Sequence, residues 1–302
     1  MEYAIETRNL SKAFRGMYAV NGLNLRVPEG AIYGFIGENG SGKSTTEKLI
    51  CGLLVPERGS QIRLYGRPHT NAEVRSKMGV LIENPGCFPN STVYQNLMMQ
   101  ALNLGLRNPH AEIERVLKLV RMTGAAGRKF KQCSLGMRQR IGVAQSLMGH
   151  PRLLILDEPI NGLDADGMRI VRETLLRVNR EEGTTVLISS HILGELSKVA
   201  THYGIIREGR LVREVRADQM LEASRDYVEV RTVDDAAAWR VLRGAYAELE
   251  PGEDGGIRVY GEPDSARVAQ VLFEAGILVA HVSMNKMGLE EYYLDTMESE
   301  VA

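Results

Sequence analysis

The sequence predicts an α/β protein built on a parallel sheet, with an antiparallel β subdomain at its start, a helical insertion, and a small α+β domain at its end. Three observations carry this expectation. The apolar runs LLIL (residues 153–156) and TVLIS (185–189) read as fully buried strands, with a helical segment from about Ala165 to Glu182 between them. The apolar run AIYGFIG (31–37) meets a glycine-rich loop and a helical stretch from Lys43 to Leu54. Past about Arg213 the patterning changes to short alternating strands, VEVRT and IRVY, and a helix whose apolar face carries Val268, Val271 and Leu272.

In chain order, residues from Tyr3 to about Ile36 are β-rich and punctuated by Gly16, Gly22, Pro28 and Gly30, as strands joined by tight turns are. From about Asn90 to His150 the pattern turns helical, with Ile113, Val116, Leu117 and Val120 on one face. Alternating strands and helices then argue for the α/β sheet. The final part reads strand, helix, strand, strand, helix, strand, with a last helix near Leu289 to Met297, which suggests a ferredoxin-like domain. With 302 residues the chain exceeds the roughly 250 at which single cores stop growing, so domains at 1–213 and 214–302 are expected.

Composition excludes several classes. Hydrophobic residues at 44% and charged residues at 25% are ordinary for a globular protein. Lys and Arg total 37 against 38 Asp and Glu, so the basic footprint of a nucleic-acid binder is missing. Cys51, Cys87 and Cys133 are far apart and form no metal-ligand spacing, as expected of reduced thiols in a cytoplasmic protein. No run approaches the ~18 apolar residues of a membrane span, and the start MEYAIETRNL lacks the pattern of a signal peptide. A membrane location therefore requires another protein to hold the chain there.

Residues 37–45, GENGSGKST, contain a complete G-x-x-x-x-G-K-[ST] loop in the strand–loop–helix context the motif needs. Gly37, Gly40 and Gly42 let the backbone of Asn39, Ser41 and their neighbours curl so that N–H groups and a helix N-terminus face a nucleotide's phosphates. Lys43 would reach the β and γ phosphates, and Ser44, followed by Thr45, would ligate Mg²⁺. Further on, LLILDEP sets Asp157 and Glu158 at the end of a buried strand, where a carboxylate is costly unless compensated. Asp157 suits the metal and Glu158 the attacking water, an adequate set for phosphoryl transfer to water.

Between these motifs stands CSLGMRQR (133–140), and after them SSH ends a strand at His191. Over about Ile5 to Val212 this combination resembles the ATP-binding-cassette family. The resemblance implies ATP and Mg²⁺ as cofactors and two ATPase subunits packed head to tail. Ser134 and Gly136 would contact the nucleotide of the partner subunit, and Asp164, in NGLDADG, would bridge the two. It further implies that His191 holds Glu158 and the water in register, that Phe14 stacks on adenine, and that Val20 flanks the ring. The signature departs from L-S-G-G-Q at Cys133, Leu135 and Met137, and resembles versions in antibiotic-resistance and peptide-antibiotic self-protection exporters.

Glu83, in GVLIENPGCFPN, occupies the place of the family's Q-loop glutamine. Exporters that protect against lantibiotics and bacitracin-like peptides resemble this chain there, in the following P-G-x-F-P-N-x-T and in LEEYYL (289–294). Glu83 would approach both Mg²⁺ and the attacking water, and would couple the nucleotide to separately encoded permease subunits on the inner face of the membrane. An ATPase for another antibiotic or multidrug exporter, and a cassette ATPase outside transport, remain open. A phosphate-loop kinase would lack the signature.

Overall fold

In the computed structural model, which describes residues 2–223, 226–252, 255–261, 264–285 and 289–299, each apolar run named above forms a strand. The chain starts with β1 (Tyr3–Arg8), β2 (Leu10–Phe14), β3 (Met17–Leu23) and β4 (Arg26–Pro28). β5 (Ile32–Ile36) leads through residues 37–42 into α1 (Lys43–Ile50), followed by β6 (Gln61–Leu64), β7 (Arg67–Pro68), α2 (Ala72–Arg75) and β8 (Met78–Leu81). The helical insertion comprises α3 (Val93–Asn103), α4 (Pro109–Leu119) and α5 (Leu135–Ser146). Then come β9 (Leu153–Asp157), α6 (Ala165–Glu182), β10 (Thr185–Ser190), α7 (Leu193–Leu196), β11 (His202–Arg207) and β12 (Arg210–Arg216).

The central sheet runs β12-β11-β5-β10-β9-β8, parallel except for β12. Every residue of β5, β9 and β10 is buried, which is why these strands read as continuous apolar runs. A second sheet, β4-β1-β6-β7, is antiparallel, and β2 and β3 form a hairpin. Leu25 and Val27, Leu49 and Ile50 of α1, Tyr33 and Phe35 of β5, and Ile155 and Leu187 share one core. Burying Leu49 and Ile50 there contributes about 1.5–3 kcal/mol each, which anchors the helix that opens at the glycine-rich loop.

Helix starts in this part are set by side chains the sequence supplies. Thr92 and Gln95 form a capping box on α3, Asn108 caps α4 ahead of Pro109, Ser134 caps α5, and Asp164 caps α6. On the other side of β5, the Tyr33 hydroxyl donates to Glu214 Oε1 at 2.6 Å across Gly204. A Cβ at Gly204 would lie 2.3 Å from that hydroxyl, so glycine leaves the path open. Burial, and then the Glu214 charge, pushes the Tyr33 phenol well above its ordinary pKa.

Two compact units divide after Ala217. The division falls beyond 213 because β12 keeps its pairing with β11 as far as Arg216. The second unit contains α8 (Ala217–Ala223, its first residue belonging to the first unit), β13 (Tyr227–Thr232), α9 (Asp235–Ala245), β14 (Leu249–Pro251), β15 (Ile257–Val259), α10 (Ser265–Glu274), β16 (Val279–Asn285) and α11 (Leu289–Ser299). Residues 300–302 of the expected 214–302 domain lie outside the described residues. Its sheet, β14-β15-β13-β16, is antiparallel, with the strand–helix–strand repeat and order of a split βαβ fold. Val228, Val230, Ala238, Leu242, Val268 and Leu272 form its core, with Trp239 packed against it, and Tyr292 is buried.

Candidate functional site

β5 lies between β10 and β11, and its C-terminal end opens into the loop 37–42 at the edge where ligands of open parallel sheets bind. Gly42 closes this loop at φ 107°, and a Cβ there would lie 2.4 Å from the Ala19 carbonyl oxygen, so both conformation and space demand glycine. Unlike α3, α4, α5 and α6, α1 has no side-chain cap, which leaves its N-terminal amides to an anion. The Lys43 ammonium, almost fully buried, donates to the carbonyls of Gly37 at 2.6 Å and Glu38 at 2.9 Å. Among the described residues the buried Ser41 hydroxyl has no hydrogen-bond partner. Uncapped amides, a fixed ammonium and a spare hydroxyl fit a phosphate chain.

β9 ends on Asp157, which is 4% exposed, and its Oδ1 accepts from Ser44 Oγ and Ser189 Oγ, each at 3.0 Å. Ser189 is the register partner of Asp157 across β10 and β9, so the strand pairing itself delivers the hydroxyl. One residue on, Glu158 has φ 48°, a left-handed conformation that turns the chain out of the strand at a cost of about 1–3 kcal/mol. That turn is held at both ends of its peptide units: Glu158 N–H donates to Ser189 Oγ at 3.2 Å, and its carbonyl accepts from Gln139 Nε2 at 3.0 Å. Its Oε2 lies 2.7 Å from His191 Nδ1. Just below, Glu47 is fully buried, and its carboxyl is pushed well above the usual range, first by burial and next by the charge of Asp157.

These groups surround a cleft of ≈ 330 Å³ lined by Ala19, Asn39, Gly40, Gly42, Lys43, Ser44, Thr45, Glu83, Asp157, Glu158 and Asn161. Ser44 and Asp157 suit a hard cation with oxygen ligands that takes its remaining ligands from phosphate and water. Among the described residues no group of three His, Cys, Asp or Glu side chains is placed to hold a metal by itself.

Val20 is fully buried in the core, and the neighbouring Ala19 lines the cleft. Glu83 lines the same cleft as Ser44 and Asp157. It sits at φ 62°, its side chain is 62% exposed, and its Oε1 lies 2.5 Å from Lys48 Nζ. Phe14 is at the end of β2, half exposed, with the Lys12 ammonium 5.6 Å from its ring centroid. Ser134, Gly136 and Asp164 are absent from the cleft of their own chain. Ser134 Oγ accepts from Met137 N–H at 3.3 Å, Asp164 Oδ1 accepts from Gly167 N–H at 2.9 Å, and a Cβ at Gly136 would lie 3.2 Å from Leu163. Signature and D-loop therefore touch within one chain, while Leu135 stays 61% exposed.

Sequence reasoning passed over Ser189, Lys48, Glu47, Gln139 and Asn161. Two of these have a readable signal: Ser189 is two residues before His191 at the end of a strand, and Lys48 is four residues after Ser44 on a helix.

A phosphate loop and an acidic strand end on one parallel sheet, with a separate helical insertion carrying the signature, define a phosphate-loop nucleotide hydrolase of the cassette class. The profile of the ABC transporter family matches residues 20–161. The chain is 38% identical to the bacitracin transport ATP-binding protein BcrA of Enterococcus faecalis, over 97% of this chain and 96% of that one. It is 39% identical to the lantibiotic transport ATP-binding protein SrtF of Streptococcus pyogenes, over 71% of this chain and 91% of that one. A solved ATP-binding cassette, described as a post-hydrolysis dimer bound to ADP and Pi, shares the fold with a TM-score of 0.65 at 22% identity, covering 70% of this chain and 98% of that one. The chain belongs to the ATP-binding proteins of ABC transporters, whose members hydrolyse ATP to drive transport. Among the described residues no helix is long and apolar enough to cross a membrane.

Proposed function

We propose that this ATPase drives export of peptide antibiotics of the bacitracin or lantibiotic type, working with Mg²⁺ as a head-to-tail pair of like subunits on separately encoded membrane permeases. The observation that carries the reading is the similarity to bacitracin transport ATP-binding proteins along 97% of the chain, including the C-terminal unit. In this reading Lys43 and the loop hold the phosphates, Ser44 and Asp157 hold Mg²⁺, Glu158 orients water and His191 fixes Glu158. Phe14 stacks on adenine. Ser134, Gly136 and Asp164 serve the partner's nucleotide, which agrees with their absence from their own cleft.

The permease is proposed to dock on a second cleft of ≈ 330 Å³, between β8 and the helical insertion, lined by Leu53, Val80, Pro85, Leu104 and Met148 among others. Leu53 and Val80 are exposed there, and Phe88 and Leu102 are exposed on neighbouring elements. In this reading the chain works at the inner membrane face. Deleting the gene and measuring growth inhibition by bacitracin, nisin-like lantibiotics and unrelated drugs tests the cargo. Sensitisation confined to the peptide antibiotics is expected, and unchanged sensitivity to them would reject this cargo.

A further inference from the structure

α1 faces two acidic groups. Ser44 and Lys48, four residues apart, share one side of the helix, where Ser44 donates to Asp157 and Lys48 meets Glu83. We propose that Lys48 is a positioning residue for Glu83: it parks this carboxylate at the rim of the phosphate cleft, and the metal-loaded nucleotide draws the carboxylate away from it. The proposal rests on the reading of the cleft as the ATP site and adds a partner to Glu83 within it.

Geometry and charge support it together. The Lys48–Glu83 contact of 2.5 Å is the one ion pair either side chain makes among the described residues. Glu83 adopts a left-handed φ of 62°, a strained conformation for a residue with a side chain, and Lys48 supplies an attachment that holds it. Three carboxylates, Glu83, Asp157 and Glu158, line the cleft, against Lys43 as its only lining ammonium among the described residues. An incoming triphosphate adds negative charge, so a second cation on the adjacent turn of α1 lowers the repulsion. Glutamine at position 83 has no charge for Lys48 to offset, so the pairing depends on the departure at that position. The side chains are 29% and 62% exposed, so water screens the pair and it is held only weakly.

The test is equilibrium binding of a fluorescent ATP analogue to the purified full chain, in EDTA and across a Mg²⁺ series, which reads charge without needing hydrolysis. Lys48→Met is compared in the native and Glu83→Gln backgrounds, with Lys48→Arg as the conservative control and melting temperatures to confirm folding. In EDTA, Lys48→Met weakens binding roughly two- to fivefold in the native background. Mg²⁺ reduces that difference, Lys48→Arg restores binding, and in the Glu83→Gln background the effect vanishes. Equal loss in both backgrounds, or no loss in either, overturns the pairing while leaving the ATP site intact. Absence of analogue binding by the unmodified chain removes both. If Lys48→Met does not fold, Lys48→Gln carries the same comparison.

Discussion

Asp157 and Glu83 both line the cleft and both meet α1, yet they are held in opposite ways. Asp157 is buried at the end of a central strand and takes hydrogen bonds from two hydroxyls, on α1 and β10. Glu83 stands on the loop after an edge strand of the sheet, mostly exposed, with one lysine as partner. The first arrangement has no freedom to answer anything. The second changes partner at little cost, since an exposed ion pair is worth about 0–1 kcal/mol. The floor of the site is built for phosphate chemistry, which needs fixed charges, and the rim for reporting that a nucleotide has arrived.

Substitutions at the floor and rim break or sharpen this contrast. The largest effect is expected for Glu158→Gln, which keeps shape and loses the carboxylate proposed to orient water: turnover should fall about 10²–10⁴-fold with ATP affinity retained. Single-turnover hydrolysis beside a binding isotherm measures both, and an equal fall in affinity would contradict a purely chemical role. Lys43→Ala should act on binding instead, weakening ATP affinity by roughly 10–100-fold, as loss of a charge-assisted contact does.

Ser189→Ala removes a hydroxyl that serves both Asp157 and the Glu158 peptide. It should cost about 1 kcal/mol, lowering the melting temperature by about 2–4 °C, and should raise the Mg²⁺ needed for half-maximal hydrolysis. Calorimetry and a Mg²⁺ titration are the checks, and a change in neither would show that the floor is less tightly built than its hydrogen bonds indicate. The smallest effect belongs to the rim. Glu83→Gln should keep hydrolysis within about twofold while shifting its Mg²⁺ dependence, and Glu83→Ala should lose antibiotic protection more than basal hydrolysis. Survival assays at matched protein level decide this, and proportional loss of both activities would merge rim and floor into one unit.

The elements whose local pattern and burial agree were legible in the sequence. α6 begins at Ala165 and ends at Glu182 as expected, because Asp164 caps it and an apolar stripe runs its length. The phosphate loop, Asp157 and Glu158 were readable because a motif and its strand context coincide. The relation of Ser189 to Asp157 was not, since it depends on β10 pairing with a strand far away in sequence, and register is a property of the sheet. The burial of Val20 in the core was hidden for a similar reason: which face of the hairpin meets the core is decided by the whole subdomain. Glu83 lines the cleft, but its partner lies 35 positions earlier, and only the folded chain shows that Lys48 meets it.

The position of β10 has a consequence for how the protein is made. This strand carries Ser189 and leads to His191, and it lies between β5 and β9, both of which leave the ribosome before it. Until residues 185–190 emerge, the strands bearing the phosphate loop and Asp157 lack the neighbour that joins them, a gap of two strand spacings, about 10 Å. A growing chain is therefore expected to hold its nucleotide poorly until this late insertion, so the site is assembled by the order of synthesis as well as by the final fold.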